Sequence, residues 1–167
     1  MIQAWTHEKR YGAEKSYIQG MDWLKDCDMV EDWGCALCYS RNYRNRHDKK
    51  GYRGIDGTPG KADVVADLSL YRSLTDGLFM RHILEHNLDW RIILNNALMS
   101  FTSRMSLIMF LQLSDKDEEP VVEPTGPITH RICGNDLREM IRPYFRHELR
   151  IKVTPEKIDT VFLLEKS

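Results

Sequence analysis

Val30-Glu31-Asp32-Trp33-Gly34-Cys35-Ala36-Leu37-Cys38 is the stretch on which the reading of this chain turns. With Met29 in front of it, the run to Trp33 has the length and apolar character of a brief buried strand. Gly34 breaks that strand, and a helix is expected to begin near Cys35. A strand that ends in an acid and passes through glycine into a helix start is how open α/β sheets build a nucleotide pocket. A second acid, Asp56, follows 24 residues after Asp32, at the end of the next expected strand. A carboxylate there can accept from both hydroxyls of a ribose, because its two oxygens match their separation. Asp67 closes a third expected strand, where it could accept from an exocyclic amine. Any one of these acids is explained as well by a turn or a helix cap. An ordered trio at the ends of three successive strands is not.

Working outward, the segment from about Gly12 to Cys27 carries Tyr17, Ile18, Met21, Trp23 and Leu24 at helical spacing, within an N-terminal helical segment spanning residues 1–28. Gly51 to Gly60 reads as a strand ended by a Gly/Pro turn, Ala62 to Ala66 as a short β-branched strand, and Gly77 to Arg81 as a fourth. Leu84 to Phe101 holds neither Pro nor Gly and predicts one long helix. Met105 to Leu113 is nearly all apolar, as expected of a central strand covered on both faces. Ser114 to Cys133 reads as a loop. Asn135 is expected to cap a helix through Arg142 that Pro143 stops. Closing strands are expected over His147–Val153 and Asp159–Leu164. Strands alternating with helical patterns point to an α/β sheet with right-handed crossovers.

The chain has 167 residues, the size of one domain, and needs no disulfide or metal staple. Lys and Arg number 24 against 25 Asp and Glu, a balance that argues against a protein whose business is coating nucleic acid or an anionic membrane. Its best apolar run, Leu107-Ile108-Met109-Phe110-Leu111, is far short of a bilayer span. The first ten residues lack the apolar core of a secretory signal. Cys27, Cys35, Cys38 and Cys133 are too unevenly spaced for a disulfide framework. The expectation is a cytoplasmic protein.

Val30-Glu31-Asp32-Trp33-Gly34-Cys35-Ala36 resembles the first motif of the class I S-adenosylmethionine-dependent methyltransferases, in the small-molecule branch (methyltransferase type 11/12-like). Tyr52-Arg53-Gly54-Ile55-Asp56 is similar to the second motif, whose acid holds the ribose. Ala62-Asp63-Val64-Val65-Ala66-Asp67-Leu68 is similar to the third, whose acid lies by the adenine amine. Leu78-Phe79-Met80-Arg81-His82-Ile83-Leu84-Glu85-His86 resembles the fourth-strand motif. The likeness runs from about Met29 to Leu113, and the order of elements agrees to the C-terminus.

The resemblance implies a single-domain, seven-stranded Rossmann-like sheet with the last strand antiparallel and helices on both faces, over residues 1–167. It implies S-adenosylmethionine as cofactor, held by Asp32, Gly34, Cys35, Ala36, Asp56, Gly57, Asp67, Leu68 and Arg81. The partner it implies is a small-molecule methyl acceptor, in keeping with the charge balance and short apolar runs that argue against nucleic acid and a membrane, and it leaves the oligomeric state open. The acceptor would be O- or N-directed and walled by residues 114–133 and the N-terminal segment. A hydroxyl acceptor gains from a base that titrates near neutrality, which points to His82 and then His130. The departures are Ala36 and Cys38, which replace the second and third glycines of the first motif. They motivate an alternative: a module that binds the cofactor or its demethylated product without transferring methyl.

The same residues admit other readings. His82-Ile83-Leu84-Glu85-His86 is a literal H-x-x-E-H, in which a helix would put two zinc ligands on one face with Glu85 as base. Cys35-Ala36-Leu37-Cys38 has the spacing of a thiol–disulfide site, although Asp32 nearby disfavours a thiolate and buried structural cysteines are expected. Arg41, Arg44, Arg46, Lys49, Lys50 and Arg53, interleaved with Tyr39, Tyr43 and Tyr52, are expected to form a solvated face rather than a phosphate track.

Overall fold

Apolar residues alternate along the inner strands, and that alternation splits the core into two layers. The computed structural model describes residues 14–48, 51–110, 113–119, 121–122, 128–155 and 157–167. One seven-stranded sheet is built from β1 (Met29–Trp33), β2 (Gly51–Asp56), β3 (Val64–Val65), β4 (Thr75–Arg81), β5 (Phe101–Met109), β8 (Phe145–Thr154) and β9 (Lys157–Glu165). A separate ribbon pairs β6 (Val121–Val122) with β7 (Ile128–Thr129). The sheet order is β3-β2-β1-β4-β5-β9-β8. β1 to β5 pair in parallel, and β9 runs antiparallel to both β5 and β8, so the last strand is antiparallel as expected.

On one face, Leu78, Met80, Leu107 and Phe162 bury against α3 (Trp90–Ser100) and α4 (Gly134–Ile141) through Ile93, Leu94, Ala97 and Leu137. On the other, Phe79, Ile108, Val161 and Leu163 meet Met21 of α1 (Glu14–Trp23) and Leu24 just after it. Each of the larger of these side chains contributes about 1.5–3 kcal/mol by leaving water. α1 lies so close to the sheet that a Cβ at Gly20 would stand 2.6 Å from the Phe79 ring and 2.7 Å from Ser106 Oγ. The short α2 (Ser40–Arg44) packs beside α1, and its buried Arg44 donates to the carbonyls of Leu24, at 2.8 Å, and Cys27.

Between β2 and β3, and between β3 and β4, no helix covers the crossover. Loop 66–74 is fastened directly instead. Asn96 on α3 donates from Nδ2 to the Leu68 and Ser69 carbonyls at 3.1 and 2.8 Å. The buried Glu31 carboxylate accepts from Ser73 Oγ at 2.6 Å and Trp33 Nε1 at 2.9 Å.

Several local expectations are corrected. No helix begins at Cys35; α2 starts at Ser40, because Ala36 and Cys38 hold φ angles of 47° and 54°, a region no right-handed helix passes through. Leu84–Phe101 is not one helix. A 3-10 turn covers Leu84–His86, Asn87 is extended, and α3 begins only at Trp90. Phe101 is already in β5, which starts four residues before the expected Met105. α4 starts at Gly134, which puts Asn135 inside the first turn instead of at the cap. Loop 114–133 carries the β6–β7 ribbon and is closed by a bridge between Ser114 and Cys133. The segment before residue 14 lies outside the described residues.

Candidate functional site

The loop after β1 hooks over the end of β2. Gly34 and Cys35 donate their amides to the Ile55 carbonyl at 2.7 and 3.1 Å. Gly34 has φ 74°, and a Cβ there would overlap Ile83, so this position needs glycine twice over. The Ala36 amide donates to Asp56 Oδ2 at 2.8 Å, and the Thr58 amide to Oδ1 at 2.8 Å. Each oxygen of Asp56 retains capacity for a further donor. Asp32 is buried and accepts from Ser40 Oγ and, at 2.7 Å, from the Tyr52 hydroxyl. Burial pushes its carboxyl up to about 6, against the two hydroxyl bonds that favour the ionised form.

Ala36 and Cys38, which raised the question of a blocked loop, turn out differently from each other. Ala36 adopts the left-handed conformation with a side chain of minimal size. Cys38 points its sulfur beneath the loop, 2.8 Å from Cys35 Sγ and 3.2 Å from the Lys61 carbonyl. The space for both sulfurs exists because residue 54 is glycine.

At the end of β4 a second constellation forms. His82 has φ 58°, an uncommon strained conformation for a non-glycine residue, and its amide donates to the Ile108 carbonyl at 2.8 Å. Its Nε2 lies 3.1 Å from Oδ1 of Asp159, which is 2% exposed. Asp159 Oδ2 accepts from Arg81 at 3.3 Å. Arg81 in turn donates to Ser16 Oγ at 3.2 Å, with its guanidinium over the Tyr17 ring at 4.5 Å. The His82 ring packs 4.9 Å from that of Phe110.

The near-neutral titration expected of His82 is corrected: burial pulls it down to about 4, outweighing the Asp159 bond, with the Arg81 charge acting in the same direction as burial. Burial works against ionisation of Asp159, yet His82, Ser16 and Arg81 hold its carboxyl below the ordinary value. The pair is satisfied by an ionised Asp159 and a neutral His82 that carries its proton on Nε2, leaving Nδ1 as the acceptor.

Asp67 is exposed and its Oδ1 accepts from the Ser69 amide and hydroxyl at 2.8 and 2.7 Å, a local turn. Leu68 is a core residue under α3. Gly57 stands in open space: a Cβ there would meet only the Ala66 carbonyl, at 3.8 Å. His130 is buried, and its Nδ1 has no hydrogen-bond partner among the described residues; burial lowers its pKa. The H-x-x-E-H reading fails on backbone geometry. His82 is left-handed, only Leu84–His86 is helical, and Glu85 accepts from the Phe110 amide at 2.6 Å. Two ligands on one helix face are not formed. Of the basic stretch, Arg41 pairs with Asp63 at 2.6 Å, Arg53 with Glu31, and Arg44 is buried. Lys49 and Lys50 lie outside the described residues.

Sequence reasoning misses Asp159 and Ile83. An acid in the apolar alternation of Ile158 to Leu164 is the available signal for Asp159. Nothing local marks Ile83 as the side chain that covers Gly34.

Neither any protein-family model nor any curated protein matches the sequence. Solved structures do match. The Burkholderia thailandensis 1,6-didemethyltoxoflavin-N1-methyltransferase, with 1,6-didemethyltoxoflavin and S-adenosylhomocysteine bound, superposes with a TM-score of 0.73 at 14% identity, over 95% of this chain and 80% of that one. The magnesium protoporphyrin IX methyltransferase of Synechocystis PCC 6803, with S-adenosylmethionine bound, gives 0.69 at 12% identity, over 93% and 80%. An S-adenosylmethionine-dependent methyltransferase from Mesorhizobium loti gives 0.60 at 12%, over 83% and 90%. The chain has the fold that these three share.

Proposed function

We propose that this chain is an S-adenosylmethionine-dependent methyltransferase whose acceptor is a small molecule bearing a protic oxygen or nitrogen. One observation carries the reading. His82, with its buried carboxylate partner, is followed by Ile83, which packs on Gly34 of the loop held by Asp56. A proton acceptor and a nucleotide-type loop thus share one edge of a methyltransferase-fold sheet.

The residues present fit the cofactor. The Cys38 side chain is tucked under the loop and Ala36 adds only a methyl group. Asp56 would hold the ribose through the lone pairs that Ala36 and Thr58 leave, and the Gly34 backbone would lie along the amino-acid part. When bound, the cofactor supplies an electrophilic methyl on a sulfonium whose neutral thioether leaves. His82 Nδ1 takes the acceptor's proton as the new bond to methyl forms, and Asp159 stabilises the imidazolium produced. Arg81 and Tyr17 hold Asp159 and the wall beside it. Most of the rate comes from alignment and the exclusion of water.

Calorimetric titration with S-adenosylmethionine and S-adenosylhomocysteine tests the reading, and micromolar binding of both is expected. Absence of binding to either ligand overturns it. Binding without methylation of any acceptor in a broad screen selects the alternative motivated by Ala36 and Cys38, a module that holds the cofactor without transferring methyl.

A further inference from the structure

We infer that Cys35 and Cys38 are a reversible dithiol–disulfide pair that fastens the loop after β1 onto β2. The backbone is already closed for it. The Cys38 amide donates to the Cys35 carbonyl at 2.6 Å, the hydrogen bond of a tight turn, which brings residues three apart within disulfide reach. The sulfurs are in mutual contact at 2.8 Å. Both sit in a cradle that exists only because β2 carries glycine at this point. A Cβ on Gly54 would stand 2.5 Å from Cys38 Sγ and 2.7 Å from Cys35 Sγ. No bulkier residue at position 54 is compatible with two sulfurs facing each other there.

The two thiols are not equivalent. Cys35 is pushed strongly upward by burial, by its bond to Cys38 and by the charge of Asp32, so it stays protonated until a partner sulfur is presented to it. Cys38 is as buried as Cys35 but adjoins the exposed Tyr39, and in the proposed sequence it reacts first. With a low-molecular-weight disulfide as oxidant, the Cys38 thiolate attacks one of its sulfurs, forming a mixed disulfide and releasing one thiol. Cys35 then attacks the Cys38 sulfur and releases the second. Two protein thiols become one disulfide, and their two protons end on the two thiols released.

The bond has a defined mechanical consequence. Ala36, between the two cysteines, is held to Asp56 through its amide, while the Cys38 thiol gives up its bond to the Lys61 carbonyl when the disulfide forms. Closing the pair therefore locks the left-handed turn at Ala36 and Cys38 over the end of β2 and removes its freedom in the unfolded chain. Cys27 and Cys133 have no such partner: among the described residues neither touches another cysteine, and all four cysteines are free thiols.

The test uses the full chain in buffers of graded oxidised-to-reduced glutathione, followed by alkylation and peptide mass mapping. The expected result is a peptide bridged between Cys35 and Cys38, two hydrogens lighter than its reduced form, with Cys27 and Cys133 alkylated. The bridge should raise the thermal midpoint by roughly 5 °C and be reversed by dithiothreitol. Cys35→Ser and Cys38→Ser should each abolish both effects, and Cys133→Ser neither. Free, alkylatable Cys35 and Cys38 in the wild-type chain at the most oxidising ratio would overturn the inference. So would a bridge to Cys27 or Cys133, or a bridge that leaves the midpoint unchanged. None of these readouts depends on cofactor binding, so the pair and the proposed activity stand or fall separately.

Discussion

His82 combines a strained backbone with a side chain that is already committed. A left-handed φ costs a non-glycine residue on the order of 1 kcal/mol, and the surrounding bonds to Ile108 and Asp159 hold it there. With an acceptor in hand, His82→Ala is expected to lower kcat by about 10²–10⁴ while leaving S-adenosylhomocysteine affinity unchanged. In Asp32→Asn, which removes the group that titrates near 6, the rate should be flat from pH 8 to about 5 and fall only as His82 gains a proton near 4. A profile of that variant that falls through the ordinary histidine range would remove His82 as the base. Asp56→Ala is expected to weaken S-adenosylhomocysteine binding by about 1–3 kcal/mol, through lost hydrogen bonds to a charged acceptor and a released Ala36 amide. Calorimetry reads it directly, and an unchanged affinity would move the ribose elsewhere. Asp56 and Asp32 are legible in the sequence because each ends a strand whose apolar pattern is local. Asp67 is legible in the same way, and its exposure and the bond it accepts from the Ser69 amide are features that strand-end placement does not signal.

At the scale of elements, the loop after β1 shows why its sequence predicts a helix start that the fold does not form. Its residues suit a helix, yet Gly34 with φ 74° is followed by left-handed Ala36 and Cys38, where the Ala36 amide is held by Asp56 and the Cys38 sulfur by the Lys61 carbonyl. Gly34→Ala is expected to destabilise the fold by about 2–4 kcal/mol, as both the backbone strain and the overlap with Ile83 act together. The double variant with Ile83→Ala should not recover the wild-type midpoint, since the φ penalty persists and a cavity is added; full recovery in a denaturant melt would show that overlap alone decides. Likewise, the helical pattern of 84–101 continues through a break at Asn87 and runs into β5. Periodicity marks which residues face the core, and both a 3-10 turn followed by a helix and one unbroken helix satisfy it.

For the whole molecule, two buried groups pull stability in opposite directions with pH. Asp32 keeps its proton to about pH 6 when folded but loses it near 3.8 when unfolded, so its contribution to stability is lost as pH rises through that window. His82 takes its proton near 4 when folded but near 6.5 when unfolded, so its contribution is present above 6.5 and lost as pH falls. Each amounts to about 3 kcal/mol, and they largely cancel between pH 4 and 6. Asp32→Asn should therefore gain stability relative to wild type at pH 8 compared with pH 4, by that order, in urea melts at the two pH values. An equal difference at both would mean that Asp32 is ionised at pH 4. The chain order of acid-ended segments and the central apolar strand were determined by the sequence alone, since length, alternation and turn residues act over a few positions, whereas the antiparallel finish was implied only by the family resemblance. The meeting of His82 with Asp159, 77 residues on, was decided only by tertiary structure. β9 returns antiparallel beside β5 and brings its buried acid to the end of β4, and no local pattern can specify which residue a distant strand will deliver.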